Sequence, residues 1–112
     1  MISATLEELE RAAQLVHALI PPTPQYAWPK LRARAGCEVW VKHENHTPTG
    51  AFKVRGGLVY LERLAREQPG TPGVVTATRG NHGQSIAYAA ARAGIPATIY
   101  VPVGNSPDQN SA

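Results

Sequence analysis

The sequence has little of several residue types, and each scarcity excludes a class of protein. A single cysteine, Cys37, excludes a disulfide within the chain and fits a reducing compartment. Charged residues make up only 17% of the chain, so it is not a charge-rich disordered segment. No apolar run approaches the roughly 18 residues of a membrane-spanning helix, and Glu7, Glu8 and Glu10 follow too early for a signal peptide. We therefore expect a soluble, cytoplasmic protein with no membrane partner.

The remaining composition is that of a small globular domain. The 112 residues are 43% hydrophobic, which is enough for one modest core. The net charge is +3, but lysine and arginine are scattered along the chain and form no cluster. We therefore expect no nucleic-acid partner. A mildly basic enzyme with an anionic cofactor or substrate explains the charge equally well.

Hydrophobic periodicity and turn residues predict an α/β chain. Apolar residues at steps of three and four, from Ile2 to Ile20, predict a first helix with Thr5 and Glu8 as a capping box. A proline-rich connector up to Pro29 follows. The further predicted elements are a strand at 38–41, a polar loop at 43–52, a helix from 53 that ends at 68–70, a buried strand at 74–77, a helix at 84–93 with Gly94 after it, and a strand at 97–101.

The last 40 residues have the predicted order strand, turn, helix and strand, which indicates a right-handed βαβ unit with parallel strands. Small residues at 87, 90 and 91 would let its helix lie close to the sheet. Ser106 and Pro107 resemble the start of another helix, as N-cap and first helical residue. The chain continues for only about one turn beyond them, and few parallel strands leave unpaired edges. We expect that it is a truncated part of a larger domain.

One candidate site is a lysine at the start of a helix. Lys53 lies where a loop containing Gly50 enters the helical segment. The positive end of the helix dipole disfavours an ammonium group there and favours the neutral amine, a nucleophile that can form a Schiff base. The alternative is a solvated lysine in the first helical turn, which is the commoner role of lysine.

A second candidate site is the turn that joins the strand at 74–77 to the following helix. Ligands of open α/β sheets bind at this carboxyl end, and free N–H groups at a helix N-terminus suit a carboxylate or a phosphate. Gly80 and Gly83 would permit close approach of the backbone to such a ligand. The alternative is an ordinary turn with Asn81 as the N-cap.

Other conspicuous residues predict structure rather than chemistry. His43, Glu44 and His46 lack the spacing of a zinc-binding helix, so we expect no metal. Trp28 and Trp40 are expected in the core.

The two loops together resemble those of fold-type II pyridoxal-phosphate-dependent enzymes. Residues 42–56, KHENHTPTGAFKVRG, are similar to the lysine motif of that family, and residues 76–84, TATRGNHGQ, are similar to its substrate-carboxylate loop. Val54 and His82 place the resemblance in the threonine/serine dehydratase and serine racemase branch. The resemblance covers nearly the whole chain. It implies an α/β fold like that of tryptophan synthase β, with a three-layer parallel sheet flanked by helices.

The resemblance also implies residue roles. Lys53 would hold pyridoxal 5'-phosphate through a Schiff base and then remove the substrate α-proton. Phe52 would pack beside the cofactor, and Asn81 would hydrogen-bond to its ring hydroxyl. The residues implied around the substrate carboxylate are Thr78, Arg79, Gly80, Asn81 and His82.

The implied activity is a lyase of amino-acid metabolism, including isoleucine biosynthesis, that converts threonine or serine to a 2-oxo acid and ammonia. Arg79 departs from the pattern, because a small residue usually stands there. It could pair with an acidic substrate such as 3-hydroxyaspartate, or simply face solvent. Ala51 in place of the usual serine is a milder departure.

Three hypotheses about the function stay open. They are the threonine/serine dehydratase, a dehydratase or racemase of another 3-hydroxy amino acid, and a non-catalytic module that binds an anion at Gly80. In the family, the phosphate-binding cup lies beyond the part that residues 1–112 resemble. We therefore expect this chain alone to be inactive. We also expect the full-length protein to be a homo-oligomer.

Overall fold

The computed structural model describes residues 4–110, and the predicted helix–strand order is largely confirmed. None of the helices in this range is long and apolar enough to cross a membrane. The elements are α1 (Leu6–Leu19), β1 (Gln25–Ala27), α2 (Pro29–Ala35), β2 (Trp40–Lys42), a 3-10 turn (Glu44–His46), α3 (Lys53–Glu67), β3 (Val74–Ala77), α4 (Asn81–Ala93), β4 (Ala97–Tyr100) and α5 (Pro107–Asn110).

The first helix begins with the predicted capping box. The hydroxyl of Thr5 accepts a hydrogen bond from the Glu8 backbone N–H at 3.2 Å, and the Glu8 carboxylate accepts one from the Thr5 N–H at 2.7 Å. The helix ends before Ile20, whose side chain is buried in the core. The predicted apolar contribution of Ile2 lies outside the described residues.

The proline-rich connector is more ordered than predicted. Strand β1 pairs antiparallel with β2, with Tyr26 opposite Val41, and α2 begins directly after it at Pro29. The connector prediction missed both elements because β1 is stabilised by a partner strand some 15 residues away, which periodicity within the segment does not reveal.

The prediction that both tryptophans belong to the core is wrong. The side chains of Trp28 and Trp40 are 44% and 57% exposed. Trp28 instead directly follows β1, where its indole N–H donates to His43 Nε2 at 3.2 Å and its ring meets Tyr26 edge-on. A hydrogen-bonding partner at the surface satisfies the polar end of the indole ring without burial.

The second half of the chain forms the predicted βαβ unit. Strands β3 and β4 are parallel neighbours, with Val74 opposite Ala97. Helix α4 begins at Asn81, three residues before the predicted start, because Gly80 rather than Asn81 is its N-cap. The helix ends at Gly94, whose φ of 67° is the expected left-handed conformation.

Only one face of the β3–β4 pair is covered within the described residues. Val74 and Ile99 are partly buried against the core. Val75 is 71% exposed, and Tyr100 on β4 is also exposed. The prediction of a buried strand at 74–77 is therefore wrong for this range, since a strand alternates its side chains and α4 packs on one side only.

The core lies between α1, α3 and α4. Its buried side chains are Val16, Ile20, Val54, Leu58, Leu61, Ile86, Ala89 and Ala90. Helices α3 and α4 approach closely at Gly57, where an added Cβ would lie 2.3 Å from Ser85 Oγ and 2.9 Å from the Ser85 carbonyl oxygen. Only glycine fits this contact, so Gly57 sets the distance between the two helices.

The small residue that lies against the sheet is Gly83, whereas Ala91, one of the predicted alanines, is exposed. A Cβ on Gly83 would lie 2.5 Å from Thr78 Cγ2 and 2.8 Å from Ile99 Cγ2. Gly83 is buried against the strands, so its missing side chain serves helix–sheet packing rather than the predicted approach to a ligand.

The two adjacent glycines of α3 provide a matched test of this packing. We expect Gly57→Ala to lower the free energy of unfolding by about 1–3 kcal/mol, because the Ser85 backbone cannot move aside cheaply. Gly56→Ala is the control: a Cβ there meets nothing within 4 Å, so the substitution should stabilise the helix by up to about 1 kcal/mol. Denaturant unfolding measures both, and equal stability of the two variants would contradict the close contact.

Candidate functional site

A groove of about 680 Å³ lies between the first turns of α3, strand β3 and the first turns of α4. We call it the lysine groove. Its walls include Phe52, Lys53, Tyr60, Thr76, His82 and Ser85. Residues from both predicted loops, one before α3 and one before α4, therefore border a single cavity.

Lys53 is the first residue of α3, as the sequence predicts, and its side chain is exposed at the groove. No carboxylate forms an ion pair with Lys53 among the residues that the structure describes. The preceding Phe52 is 64% exposed and borders the same groove. An unpaired amine beside an open aromatic face suits reaction with a planar aldehyde.

The loop before the lysine is closed by a buried threonine. Thr47 Oγ1 accepts from the Ala51 N–H and donates to the Ala51 carbonyl oxygen, both at 2.9 Å. Gly50 turns the chain with φ of 63°, a conformation that favours glycine. The two hydrogen bonds join the Thr47 side chain to the Ala51 backbone and so hold the loop closed. Ala51, which stands in place of the family's usual serine, is itself buried.

A bidentate ion pair anchors the loop to α3. Arg55 donates to both Glu44 oxygens, at 2.7 Å and 3.0 Å, and the Thr23 hydroxyl donates to Glu44 at 2.5 Å. The hydrogen bond from Arg55 is the main cause that lowers the pKa of Glu44, with Thr23 and the charge of Lys42 adding to it against the opposing effect of burial. The first turn of α3, with Lys53, is thus fixed to the 3-10 turn that follows β2.

Sequence reasoning missed the role of Glu44. It considered the residue only as part of a metal signature, and its partner Arg55 lies eleven residues later with no local pattern joining them. Sequence reasoning also missed Ser85, a buried polar residue in the alanine-rich α4. The Ser85 hydroxyl donates to the Lys53 carbonyl oxygen at 2.7 Å. A lone serine inside such a helix was the available signal.

In the turn before α4, a side chain already accepts a hydrogen bond from one of the backbone N–H groups. The Gly80 N–H donates to Thr78 Oγ1 at 3.1 Å, so it is already paired. The N–H groups of Asn81 and His82, in the first helical turn, have no acceptor among the described residues. Of the backbone N–H groups of Gly80, Asn81 and His82, two therefore remain open to a ligand.

The structure brings only part of the predicted site together. Phe52, Lys53 and His82 border the lysine groove, and the His82 Nε2 lies 3.0 Å from the Thr76 hydroxyl. The rest of the predicted carboxylate loop lies outside the groove walls. Those residues are Thr78, Arg79, Gly80 and Asn81.

Comparison with known proteins settles the family. Residues 16–112 match the family model described as pyridoxal-phosphate dependent enzyme. The chain belongs to this family. It is 38% identical over 109 residues to the biosynthetic L-threonine dehydratase of Lactococcus lactis, an alignment that covers 97% of this chain and 25% of the relative. The chain thus spans about a quarter of the length of the curated relatives it matches.

Solved structures confirm the fold-type II α/β class. A pyridoxal 5'-phosphate-dependent aspartate racemase matches with a TM-score of 0.89 and 30% identity, over 99% of this chain and 35% of that one. Threonine deaminase isoform 2 of Solanum lycopersicum matches with a TM-score of 0.72 and 27% identity, over 97% of this chain and 31% of that one. The expected cofactor, pyridoxal 5'-phosphate, is that of the family.

The residues of the lysine groove fit the aldehyde end of this cofactor. Lys53 offers an accessible primary amine, and the groove volume of about 680 Å³ is ample for a substituted pyridine ring. Phe52 offers its ring as one wall, and His82, which also borders the groove, has an open backbone N–H that can donate to an anionic group.

The ion pair at Glu44 predicts a pH dependence of stability. Because folding lowers the pKa of Glu44, its carboxylate stabilises the fold fully above its ordinary pKa, and this contribution is lost as the pH falls through the lowered pKa of the folded state. We expect Glu44→Gln to lower the free energy of unfolding by about 1–2 kcal/mol at neutral pH and by progressively less at acid pH.

Denaturant unfolding between pH 7 and pH 3 measures this difference. Glu10→Gln, an exchange at an exposed position of α1, is the control and should follow the unaltered chain at every pH. A stability loss in Glu44→Gln that stays constant across this range would contradict the ionic role of Glu44.

Proposed function

We propose that this chain forms the lysine-bearing part of a pyridoxal-phosphate-dependent lyase that dehydrates and deaminates threonine or serine. The observation that carries the proposal is the lysine groove, where Lys53 and His82, contributed by two separate sequence motifs, border one cavity. The proteins similar to this chain include threonine dehydratases, which supports the substrate class.

Each residue has a distinct task in this proposal. Lys53 attaches the cofactor through Nζ and later takes the substrate α-proton on the same nitrogen. Phe52 flanks the ring, and Asn81 hydrogen-bonds to its hydroxyl. The residues proposed to receive the substrate carboxylate are Thr78, Arg79, Gly80, Asn81 and His82. Bound pyridoxal phosphate supplies the electron sink for the reaction.

The Thr78 hydroxyl already orders the carboxylate loop by accepting from the Gly80 N–H. This leaves the N–H groups of Asn81 and His82, at the positive end of α4, as the donors that can meet a carboxylate directly. We further propose that the longer protein of this kind is a cytoplasmic homo-oligomer acting on a small amino acid.

A second candidate substrate is 3-hydroxyaspartate. Arg79 is exposed in the carboxylate loop and forms no ion pair among the described residues, so its guanidinium is free to bind a second carboxylate. The structural similarity to an aspartate racemase also favours a substrate with an acidic side chain. We keep dehydration of threonine or serine as the first proposal because the threonine dehydratases are the sequence relatives.

Covalent labelling tests the role of Lys53. The chain has three lysines, so incubation with pyridoxal phosphate and borohydride should label Lys53 faster than Lys30 and Lys42, because only Lys53 borders the groove. Peptide mass spectrometry locates the label, and Lys53→Ala should lose the fast component. Equal labelling of all three lysines would favour a non-catalytic anion-binding module instead.

A chimera tests the role of Arg79. This chain would replace the matching quarter of the Lactococcus lactis enzyme, with and without Arg79→Ala. If Arg79 pairs with an acidic substrate, the ratio of kcat/KM for 3-hydroxyaspartate over threonine should fall by about tenfold or more in the variant, since one charged contact is lost. An unchanged ratio would make Arg79 a surface residue.

The isolated chain should be inactive as a dehydratase. It spans about a quarter of its relatives' length, and Lys53 with the first turn of α4 would be the main contacts of the cofactor. A loosely held ring does not keep the geometry that elimination requires. We expect 2-oxobutanoate release from threonine, with added cofactor, far below the roughly 10 per second of a typical enzyme. Release within about tenfold of that rate would refute this expectation.

A further inference from the structure

A hydrogen bond between two helices ends on the backbone of the proposed cofactor lysine. Ser85, in the second turn of α4, is 1% exposed, and its hydroxyl donates to the Lys53 carbonyl oxygen at 2.7 Å. The two residues are 32 positions apart in the sequence. The bond therefore fixes the first residue of α3 directly to α4.

This bond is additional to what the α3 helix requires. In an α-helix the carbonyl of Lys53 accepts from the N–H four residues later, that of Gly57, and its oxygen has a second lone pair for another donor. A serine inside a helix usually bonds to a carbonyl of its own preceding turn. Ser85 reaches across to the neighbouring helix instead, because Gly57 lacks a side chain at the crossing point.

The location of the bond matters more than its strength. Helix α4 begins with the turn that carries Asn81 and His82, and Ser85 lies within one helical turn of both. The same serine thus connects the origin of the lysine side chain to the helix end that offers open N–H donors. Reactive groups must be held within fractions of an ångström for productive geometry.

We propose that Ser85 is a positioning residue for Lys53, holding its backbone so that Nζ meets the cofactor aldehyde in the lysine groove. The proposal rests on the proposed function of Lys53. It adds a residue on α4, outside both loop motifs, that controls the reactivity of the lysine through the backbone. Ser85 itself touches neither the aldehyde nor the substrate in this role.

The test compares Ser85→Ala with a control of similar structural cost. Ala89→Gly removes a buried methyl group from the same helix and weakens it by about 1 kcal/mol, but it leaves the bond to Lys53 intact. Each 112-residue variant is incubated with pyridoxal phosphate and borohydride at a temperature where circular dichroism shows it to be folded. The rate of Lys53 labelling is divided by that of Lys30 and Lys42 in the same sample.

A second measurement is the ellipticity of the bound chromophore before reduction, divided by its absorbance. This ratio reports how rigidly the ring is held, which a general loss of stability in a folded sample does not change. We expect Ser85→Ala to lower the labelling ratio by roughly fivefold, the effect of losing one buried hydrogen bond, and to lower the ellipticity ratio with it. Ala89→Gly should match the unaltered chain in both.

Two outcomes would overturn the proposal, and they differ. If the unaltered chain labels Lys53 selectively, but Ser85→Ala leaves both ratios unchanged or lowers them no more than Ala89→Gly does, Ser85 is merely a packing residue. If the unaltered chain labels all three lysines equally, the proposed function of Lys53 fails, and the positioning role fails with it.

Discussion

The close contact between α3 and α4 is the constraint on which the rest of the structure depends. Gly57 leaves room for only a hydrogen atom against Ser85, so the backbone of α3 lies directly against the Ser85 residue of α4. This contact lies one turn after Lys53 and one turn after the start of α4. Two loops that are nearly 30 residues apart in the sequence are thereby brought to one groove. A larger residue at Gly57 would separate the lysine from the turn at Gly80.

The sequence predicts well those features that depend on local pattern. The capping box at Thr5, the start of α3 at Lys53, and the parallel pairing of β3 with β4 are all confirmed, because periodicity, turn residues and the βαβ rule are local signals. The family was also recognisable, because the motifs around Lys53 and Gly80 are specific in combination.

The features that the sequence did not predict depend on distant partners. Strand β1 forms only because β2 pairs with it, and Glu44 gains its role from Arg55 across a loop. Ser85 stands out as a lone serine in an alanine-rich helix, but the sequence does not identify Lys53 as its hydrogen-bond partner. Gly83 was expected to permit close approach of a ligand, whereas the neighbours at its Cα are side chains of the sheet, because a glycine pattern does not reveal which neighbour approaches it.

The uncovered face of the β3–β4 pair limits what these residues do by themselves. Parallel sheets normally have both faces covered, yet Val75 and Tyr100 are exposed here within the described residues. The chain also spans about a quarter of the length of its curated relatives. The lysine, its positioning contacts and one helix N-terminus are together, whereas a complete enclosure for a cofactor is not formed by these elements.

A crystal structure of the chain after borohydride reduction with pyridoxal phosphate tests the central claim most directly. If the α3–α4 contact assembles a cofactor site, electron density should run without a break from Lys53 Nζ to a ring in the lysine groove, beside Phe52 and His82. A ring attached at Lys30 or Lys42, or one on Lys53 that turns away from the groove into solvent, would contradict it.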